Sequence, residues 1–238
     1  MKYVIMCGGH YTKWQIPRQM LRIGNETIVG RTIRLLHEND ITNIAISSNN
    51  SDFQVFGLPL IRHQNMYSCV EYNNVLAGTW VDAFYSTAEP TTYLFGDVVY
   101  SRDAIKTIVD TTTSDVAFFG SAPPFAHEYL KNYEEPFGFK VVNTTHFRKA
   151  VHDVKMLEAL GKFNRKPIAW ELWNVIQRGV DGDVNTIDFN SYIHINDFTC
   201  DIDTPAEAVA NIKKLTEIIN EKEGDTNGEN TLEEVNKP

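Results

Sequence analysis

The chain has 238 residues, of which 42% are hydrophobic and 11% aromatic, and this apolar content is enough for one sizeable core. Its formal net charge of −9 argues against a wide basic surface for nucleic acid or an anionic membrane, so we expect a small-molecule partner. No apolar run approaches the ~20 residues of a membrane-spanning helix, and we expect a soluble, cytoplasmic protein. Cys7, Cys69 and Cys200 show no metal-ligand spacing and are predicted to be reduced, buried thiols.

Apolar, β-prone runs alternate with amphipathic helical stretches along the chain, which predicts an α/β fold with a Rossmann-like, mostly parallel sheet flanked by helices. In chain order we predict strand 2–7, helix 27–38, strand 41–47, helix 73–88, strand 91–95, helix 102–112, strand 115–119, a helix near 167–178, and strands near 184–189 and 192–196. Residues from about 120 to 200 have a looser pattern and are interpreted as an elaboration on the sheet.

The end of the chain combines a well-marked helix with an acidic tail. Thr204-Pro205-Ala206-Glu207 has the residues of a capping box, with proline at the first helical position, and predicts a helix start. Residues 223–238 contain five acidic residues and one basic residue, with little to bury, and are predicted to be disordered. We therefore predict one domain over residues 1–222.

The first strand leads directly into a glycine pair, Gly8-Gly9, which is followed by hydroxyl and cationic side chains. Backbone N–H groups at such glycines can approach an anion closely, and Thr12, Lys13 and Arg18 add a hydroxyl and two positive charges. The pattern fits a loop that holds phosphates, although it matches neither a P-loop nor a dinucleotide-binding turn. A plain tight turn is the alternative.

Two acidic motifs could supply metal ligands. Asp97 follows a predicted buried strand, at the position where open α/β sheets bind ligands, and its carboxylate would suit Mg²⁺. Asp201 and Asp203 both belong to the stretch Cys200–Thr204, where the notable point is that two carboxylates occur so close together. We expect that only one of them can face a metal held by Asp97 if the segment is extended. The alternatives are a turn aspartate at residue 97 and, at residue 203, a carboxylate that favours the dipole of the following helix.

Taken in order, the motifs G-G-x-x-T-K, P-R-Q-M-L-x-I-x-N-x-T-I, G-D-V-V and D-I-D-T-P-A-E resemble those of the sugar-phosphate and alcohol-phosphate nucleotidyltransferases, including the LicC-like choline-phosphate cytidylyltransferases. The resemblance spans roughly residues 1–215. It implies a domain that binds a nucleoside triphosphate and Mg²⁺, with CTP or UTP favoured. The implied reaction transfers the nucleotidyl group to a phosphorylated sugar or alcohol, releases pyrophosphate and gives the activated precursors used in cell-surface polysaccharide biosynthesis.

The resemblance also implies roles for individual residues. The implied roles are triphosphate binding for Gly8, Gly9, Thr12 and Lys13, transition-state stabilisation for Lys13 and Arg18, base contact for Gly78 and Thr79, and metal binding for Asp97 with Asp203 or Asp201. Tyr11 departs from the usual glycine, while Lys13 and Arg18 exchange the usual arginine and lysine. That exchange keeps the total charge but changes the geometry of the cations, since a guanidinium binds two oxygens at once.

The residues that bind the acceptor are the least determined. Lys140 lies in the region where the resemblance places the acceptor and could bind its phosphate, but it could equally be a solvated strand lysine. Trp170 and Glu171 could hold a sugar face or a quaternary amine, whereas tryptophans on a helix are more often core residues.

Two other functions stay open on the sequence. A glycosyltransferase that uses a nucleotide-sugar would share a sheet-end acid and Mg²⁺, but its D-x-D motif would normally come earlier than residues 201–203. The second alternative is a non-catalytic nucleotide-binding relative in which Tyr11 and Arg18 mark lost activity. The sequence leaves the oligomeric state open, with a homo-oligomer among the options.

Overall fold

The computed structural model describes residues 1–8, 16–62, 71–72, 75–76, 80–84 and 88–223. The strands are β1 (Lys2–Met6), β2 (Arg22–Ile23), β3 (Glu26–Thr27), β4 (Ile44–Ser47), β5 (Leu60–Ile61), β6 (Glu71–Tyr72), β7 (Val75–Leu76), β8 (Thr91–Phe95), β9 (Val98–Val99), β10 (Val116–Gly120), β11 (Pro136–Val141), β12 (Ile193–His194) and β13 (Cys200–Asp201). The helices are α1 (Ile28–Glu38), α2 (Arg102–Asp110), α3 (Thr144–Ala159), α4 (Ala169–Arg178) and α5 (Pro205–Glu223), with 3₁₀ turns at Arg18–Met20, Ser51–Phe56 and Trp80–Ala83.

Seven strands form the main sheet in the order β12-β10-β11-β8-β1-β4-β5. The strands β8, β1, β4 and β5 are parallel to one another, as are β10 and β12, and β11 runs antiparallel to both of its neighbours. Central β1 is an almost continuous apolar run because both faces of a parallel sheet are covered. The predicted α/β fold, a mostly parallel sheet flanked by helices, is confirmed.

Two groups of buried side chains hold the structure together. The larger group surrounds the main sheet and includes stacked Phe118 and Phe139, whose ring centroids are 4.5 Å apart. The smaller group joins the β9–β13 pair to α5, through residues such as Val99, Ile202 and Leu215. Burial in this smaller group fixes the start of α5 against the end of the sheet.

The start of α5 follows the sequence prediction. The Thr204 hydroxyl accepts from the Glu207 N–H at 3.2 Å, and the Glu207 carboxylate accepts from the N–H groups of Asp203 and Thr204 at 2.7 and 3.1 Å. The predicted capping box is therefore confirmed.

Several sequence predictions need correction. The helix predicted over 73–88 is wrong, because the described part of that segment contains the short strand β7 and the 3₁₀ turn at Trp80–Ala83. No strand forms within 184–189, and the sequence analysis missed α3. Glu223 is the last residue of α5 and not the first of a tail, while residues 224–238 lie outside the described residues. The single-domain assignment stays a prediction.

Two further expectations concern cysteines and membrane segments. Cys7 and Cys200 are buried, as predicted, and no disulfide joins them among the described residues, while Cys69 lies outside the described residues. Among the helices in the described ranges, none has both the length and the apolar content that crossing a bilayer requires.

Candidate functional site

The turn after β8 carries Asp97 at the carboxyl end of the main sheet. The chain then forms β9, which pairs antiparallel with β13 and sets Asp201 opposite Val98. The N–H of Ile202 donates to the carbonyl of Asp97 at 3.1 Å. This pairing brings the two acidic motifs, which are far apart in sequence, to the same place.

Arg18 lies between two of the acids. It begins the 3₁₀ turn after Pro17, and its guanidinium makes ion pairs with the carboxylates of Asp97 and Asp203, the latter at 2.6 Å. Burial lowers the pKa of the Arg18 guanidinium, but the negative charges of Asp97 and Asp203 outweigh burial and raise it. The structure thus brings together three residues that the sequence analysis selected separately.

Hydrogen bonds join the residues that end and follow β1 to the segments that carry Asp97 and Arg18. The Gly96 N–H donates to the carbonyl of Met6 at 2.9 Å, which holds the ends of β1 and β8 together. The carbonyl of Gly8 accepts from the side-chain amide of Gln19 at 3.3 Å, and Gln19 is buried. Gln19 belongs to the P-R-Q-M-L motif, but the sequence analysis gave it no role of its own. It positions the start of the glycine loop relative to Arg18.

Part of the predicted nucleotide-binding set cannot be placed. The residues outside the described ranges are Gly9, Tyr11, Thr12, Lys13, Gly78 and Thr79. Their roles stay predictions, and Gly8 at the edge of the first gap is the member of the glycine loop that the structure describes.

The acids around Arg18 offer several oxygen ligands close together. Asp201, Asp203 and Glu207 each place a carboxylate oxygen within 4.8 Å of the others. Asp97 lies next to them, because the Arg18 guanidinium makes ion pairs with both Asp97 and Asp203. Such oxygen atoms are the ligands that Mg²⁺ prefers. The donor set therefore fits magnesium in its chemistry. Glu207 was recognised in the sequence only as a capping residue.

Lys131 and Glu135 are two site residues that the sequence analysis missed. Lys131 is buried and makes ion pairs with Asp201 and Glu135, and Glu135 also accepts from the Asp201 N–H at 3.1 Å. Burial, with repulsion from Asp203 and Asp97, raises the pKa of the Asp201 carboxyl and so disfavours its ionised form. In the sequence these residues resemble ordinary surface charges, since nothing local shows that they are buried.

Lys140 has a structural role that does not favour the predicted acceptor contact. Its ammonium donates to the carbonyls of Ile108, Val109 and Thr111 at 3.0, 2.8 and 2.6 Å, at the carboxyl end of α2. The register of β11 on β8 places it opposite Thr92, towards the amino end of β8 and away from Asp97. All three ammonium protons are used within the fold.

Trp170 and Glu171 are also engaged by the fold. The Trp170 ring is buried and packs edge-on against Phe118 and Tyr192, with centroids 5.0 and 5.1 Å apart. The Glu171 carboxylate is buried, and it accepts from the Ile168 N–H at 2.9 Å and pairs with Arg165 at 2.7 Å. These contacts favour the core interpretation of the tryptophan and a helix-capping role for the glutamate.

Comparison with solved structures finds proteins that share this fold over most of the chain. A protein from Bacillus anthracis assigned as a glucose-1-phosphate thymidylyltransferase is 14% identical, with 92% of this chain and 94% of that chain covered and a TM-score of 0.53. HddC from Yersinia pseudotuberculosis is 15% identical, with coverages of 90% and 98% and a TM-score of 0.50.

Other comparisons add little. The CTP:phosphocholine cytidylyltransferase LicC from Streptococcus pneumoniae is 14% identical over 92% of this chain and 98% of that chain, but its TM-score of 0.48 is too low to inform the function. No protein-family model matches the sequence, and no curated protein matches it either. At these identities the likeness establishes the fold, and the function must be argued from the site.

Proposed function

We propose that this chain is a Mg²⁺-dependent nucleotidyltransferase that transfers a nucleoside monophosphate from CTP or UTP to a phosphorylated sugar or alcohol and releases pyrophosphate. The observation that carries the proposal is the convergence of Arg18, Asp97 and Asp203 at the carboxyl end of β8. Open α/β sheets bind their ligands at this edge, and the fold is shared with nucleotidyltransferases.

The residues of the cluster divide into two roles. Asp97 and Asp203 would hold Mg²⁺, which supplies positive charge to phosphate oxygens when it is bound. Arg18 would interact with the triphosphate, because a guanidinium can bind two phosphate oxygens and retains its charge. Thr12, Lys13 and the N–H groups of Gly8 and Gly9 would complete the phosphate site. The reaction requires little acid–base chemistry, since the acceptor phosphate is already an anionic nucleophile, and positioning and charge would dominate.

The first test is a thermal-shift screen of the purified protein against CTP, UTP, ATP, GTP and dTTP, each with and without Mg²⁺. A ligand that binds the native state raises the melting temperature, so a selective, Mg²⁺-dependent shift is expected for CTP or UTP. Pyrophosphate release with candidate phosphorylated acceptors then measures turnover. A shift with a nucleotide-sugar and with no triphosphate would instead support a glycosyltransferase. Triphosphate binding without pyrophosphate release would support a non-catalytic relative.

The matching variant is Asp97→Asn, which removes one negative charge and keeps the size of the side chain. We expect pyrophosphate release to fall on the order of 100-fold or more, because charge stabilisation at a reacting phosphate contributes strongly to such reactions. Asp181→Asn makes the same change at an exposed position and serves as the control. Near-normal turnover of a folded Asp97→Asn protein would remove Asp97 from the reacting centre.

A further inference from the structure

Arg18 occupies the place between the two carboxylates that a divalent cation would need. We propose that Arg18 acts as an internal counterion which keeps free metal out of the acidic cluster, so that Mg²⁺ enters together with a nucleoside triphosphate. This inference rests on the proposed function and adds an order of binding to it. The geometry is direct, since one guanidinium makes ion pairs with Asp97 and Asp203 at the same time.

Electrostatics explains why free metal binds weakly to such an arrangement. A divalent ion bound by Asp97 and Asp203 would have to displace the guanidinium from both carboxylates. The displaced charge would then lie close to the ion without a partner, and like charges at short range in a partly buried site repel strongly. The side chains are only 26% exposed for Arg18 and 16% exposed for Asp97, so solvent screens this repulsion incompletely.

The neighbouring acids offer free metal no easier position. Asp201 makes an ion pair with Lys131, and the Glu207 carboxylate accepts hydrogen bonds from the backbone N–H groups just before α5. Arg18 and Lys131 thus make ion pairs with three acids of the cluster, Asp97, Asp203 and Asp201. A metal ion arriving alone has to compete with each of these contacts.

A triphosphate changes this balance because it gives Arg18 another partner. Phosphate oxygens accept the same paired hydrogen bonds from a guanidinium that carboxylate oxygens accept. Arg18 is partly exposed and starts a single 3₁₀ turn, so its side chain can leave the carboxylates without disturbing a long helix. Once Arg18 binds phosphate, Asp97 and Asp203 become available to the metal. Nucleotide binding and metal binding are therefore coupled through Arg18.

The test measures binding of Mn²⁺ alone, without nucleotide, from the loss of the electron paramagnetic resonance signal of the free ion. Arg18→Gln removes the charge and keeps a polar side chain, and we expect it to bind Mn²⁺ at least about tenfold more tightly than the natural protein. Arg18→Lys retains the charge and should bind Mn²⁺ as weakly as the natural protein. Arg148→Gln, an exposed arginine on α3, controls for the change in net charge.

A double variant locates the metal. Arg18→Gln combined with Asp97→Asn should lose the gain in Mn²⁺ affinity, because one of the two carboxylates is no longer charged. If Arg18→Gln folds, as judged by circular dichroism, and binds Mn²⁺ no more tightly than the natural protein, the inference is overturned. Retention of the full gain in the double variant also overturns it, since the metal then binds elsewhere.

A measurement on the unaltered protein keeps the inference testable even if Arg18→Gln does not fold. We expect Mg²⁺ alone to leave the melting temperature unchanged at concentrations at which Mg²⁺ with triphosphate raises it. A saturating rise with Mg²⁺ alone in that range overturns the inference and leaves the proposed function intact. Conversely, if no triphosphate shifts the melting temperature while Arg18→Gln still gains Mn²⁺ affinity, the proposed function fails and the counterion role of Arg18 stands.

Discussion

Gly96 is the residue that lets Asp97 approach the end of β1. A Cβ atom at this position would lie 2.6 Å from the sulfur of Cys7 and 2.7 Å from the carbonyl oxygen of Met6. The Met6 carbonyl cannot move away, because it accepts from the Gly96 N–H and belongs to the central strand. The requirement for glycine therefore comes from close packing of two strand ends and not from an unusual backbone angle.

We predict that Gly96→Ala destabilises the protein by about 1–3 kcal/mol, the usual cost of forcing an extra carbon into a packed site, and that it also weakens triphosphate binding by displacing Asp97. Chemical denaturation measures the first effect and the thermal-shift screen the second. Cys7→Ala in the same background removes one of the two contacts, so the double variant should lose less stability than the sum of the single variants. Additive losses would show that the sulfur contact does not contribute.

Strand β11 and helix α2 depend on each other through Lys140. The carbonyl groups in the last turn of a helix have no partner within the helix and need donors from elsewhere. The Lys140 ammonium supplies three hydrogen bonds, to the carbonyls of Ile108, Val109 and Thr111. A cation at this end also interacts favourably with the helix dipole.

Replacing Lys140 by methionine should therefore cost about 1–3 kcal/mol of stability, because buried carbonyls lose their donors, while pyrophosphate release by the folded variant stays near normal. Urea denaturation and the turnover assay measure the two effects. Lys106→Met, an exposed position on α2 paired with Asp110, should change neither. A large rise in KM for the acceptor in Lys140→Met would instead support the predicted acceptor-binding role.

Arg31 and Glu223 connect elements from across the molecule. Arg31 on α1 is fully buried, and it contacts the Glu223 carboxylate at 2.6 Å, Glu26 at 3.2 Å and the Tyr100 carbonyl at 2.8 Å. Glu223 also accepts from the Arg102 N–H at 3.0 Å, at the start of α2. The last residue of α5 is thus held by both α1 and α2, and it lines a cavity of about 390 Å³ together with residues of α1, α5 and the β2–β3 turn.

For Glu223→Ala in the full chain we predict a loss of about 2–3 kcal/mol, since a buried guanidinium loses one partner but keeps two others. Guanidinium chloride denaturation gives the value. Glu217→Ala removes an exposed carboxylate from the same helix, 3.8 Å from Lys213, and should have little effect. Equal stability of the two variants would mean that the Arg31 contacts do not need Glu223.

Much of the element order could be predicted from the sequence. An apolar run identified β1, a β-branched and aromatic stretch identified β8, and helical spacing of apolar residues identified α1, because these patterns follow from burial in a sheet or on one face of a helix. The alternation of strands and helices then predicted α2 and β10. Helix α3 was missed although Phe147, Ala150, Val154 and Leu157 form a buried face, since its first residues resemble a turn. The 73–88 segment shows the opposite case, because its apolar residues have helical spacing but its described part forms β7 and a 3₁₀ turn.

The candidate site shows a similar division. Local sequence marked Arg18, Asp97, Asp201 and Asp203 as candidates, and the resemblance to nucleotidyltransferases implied their roles. The pairing of β9 with β13 brings them together, and it joins residues too far apart for any local pattern to reveal. The same is true of Lys131, which becomes a site residue through burial beside Asp201, and of Lys140 and Trp170, whose partners lie on other elements. The sequence by itself determined the α/β class and the types of group available for chemistry. Only the tertiary structure decided which charges meet, because ion pairing and burial depend on distances between segments that the linear order does not contain.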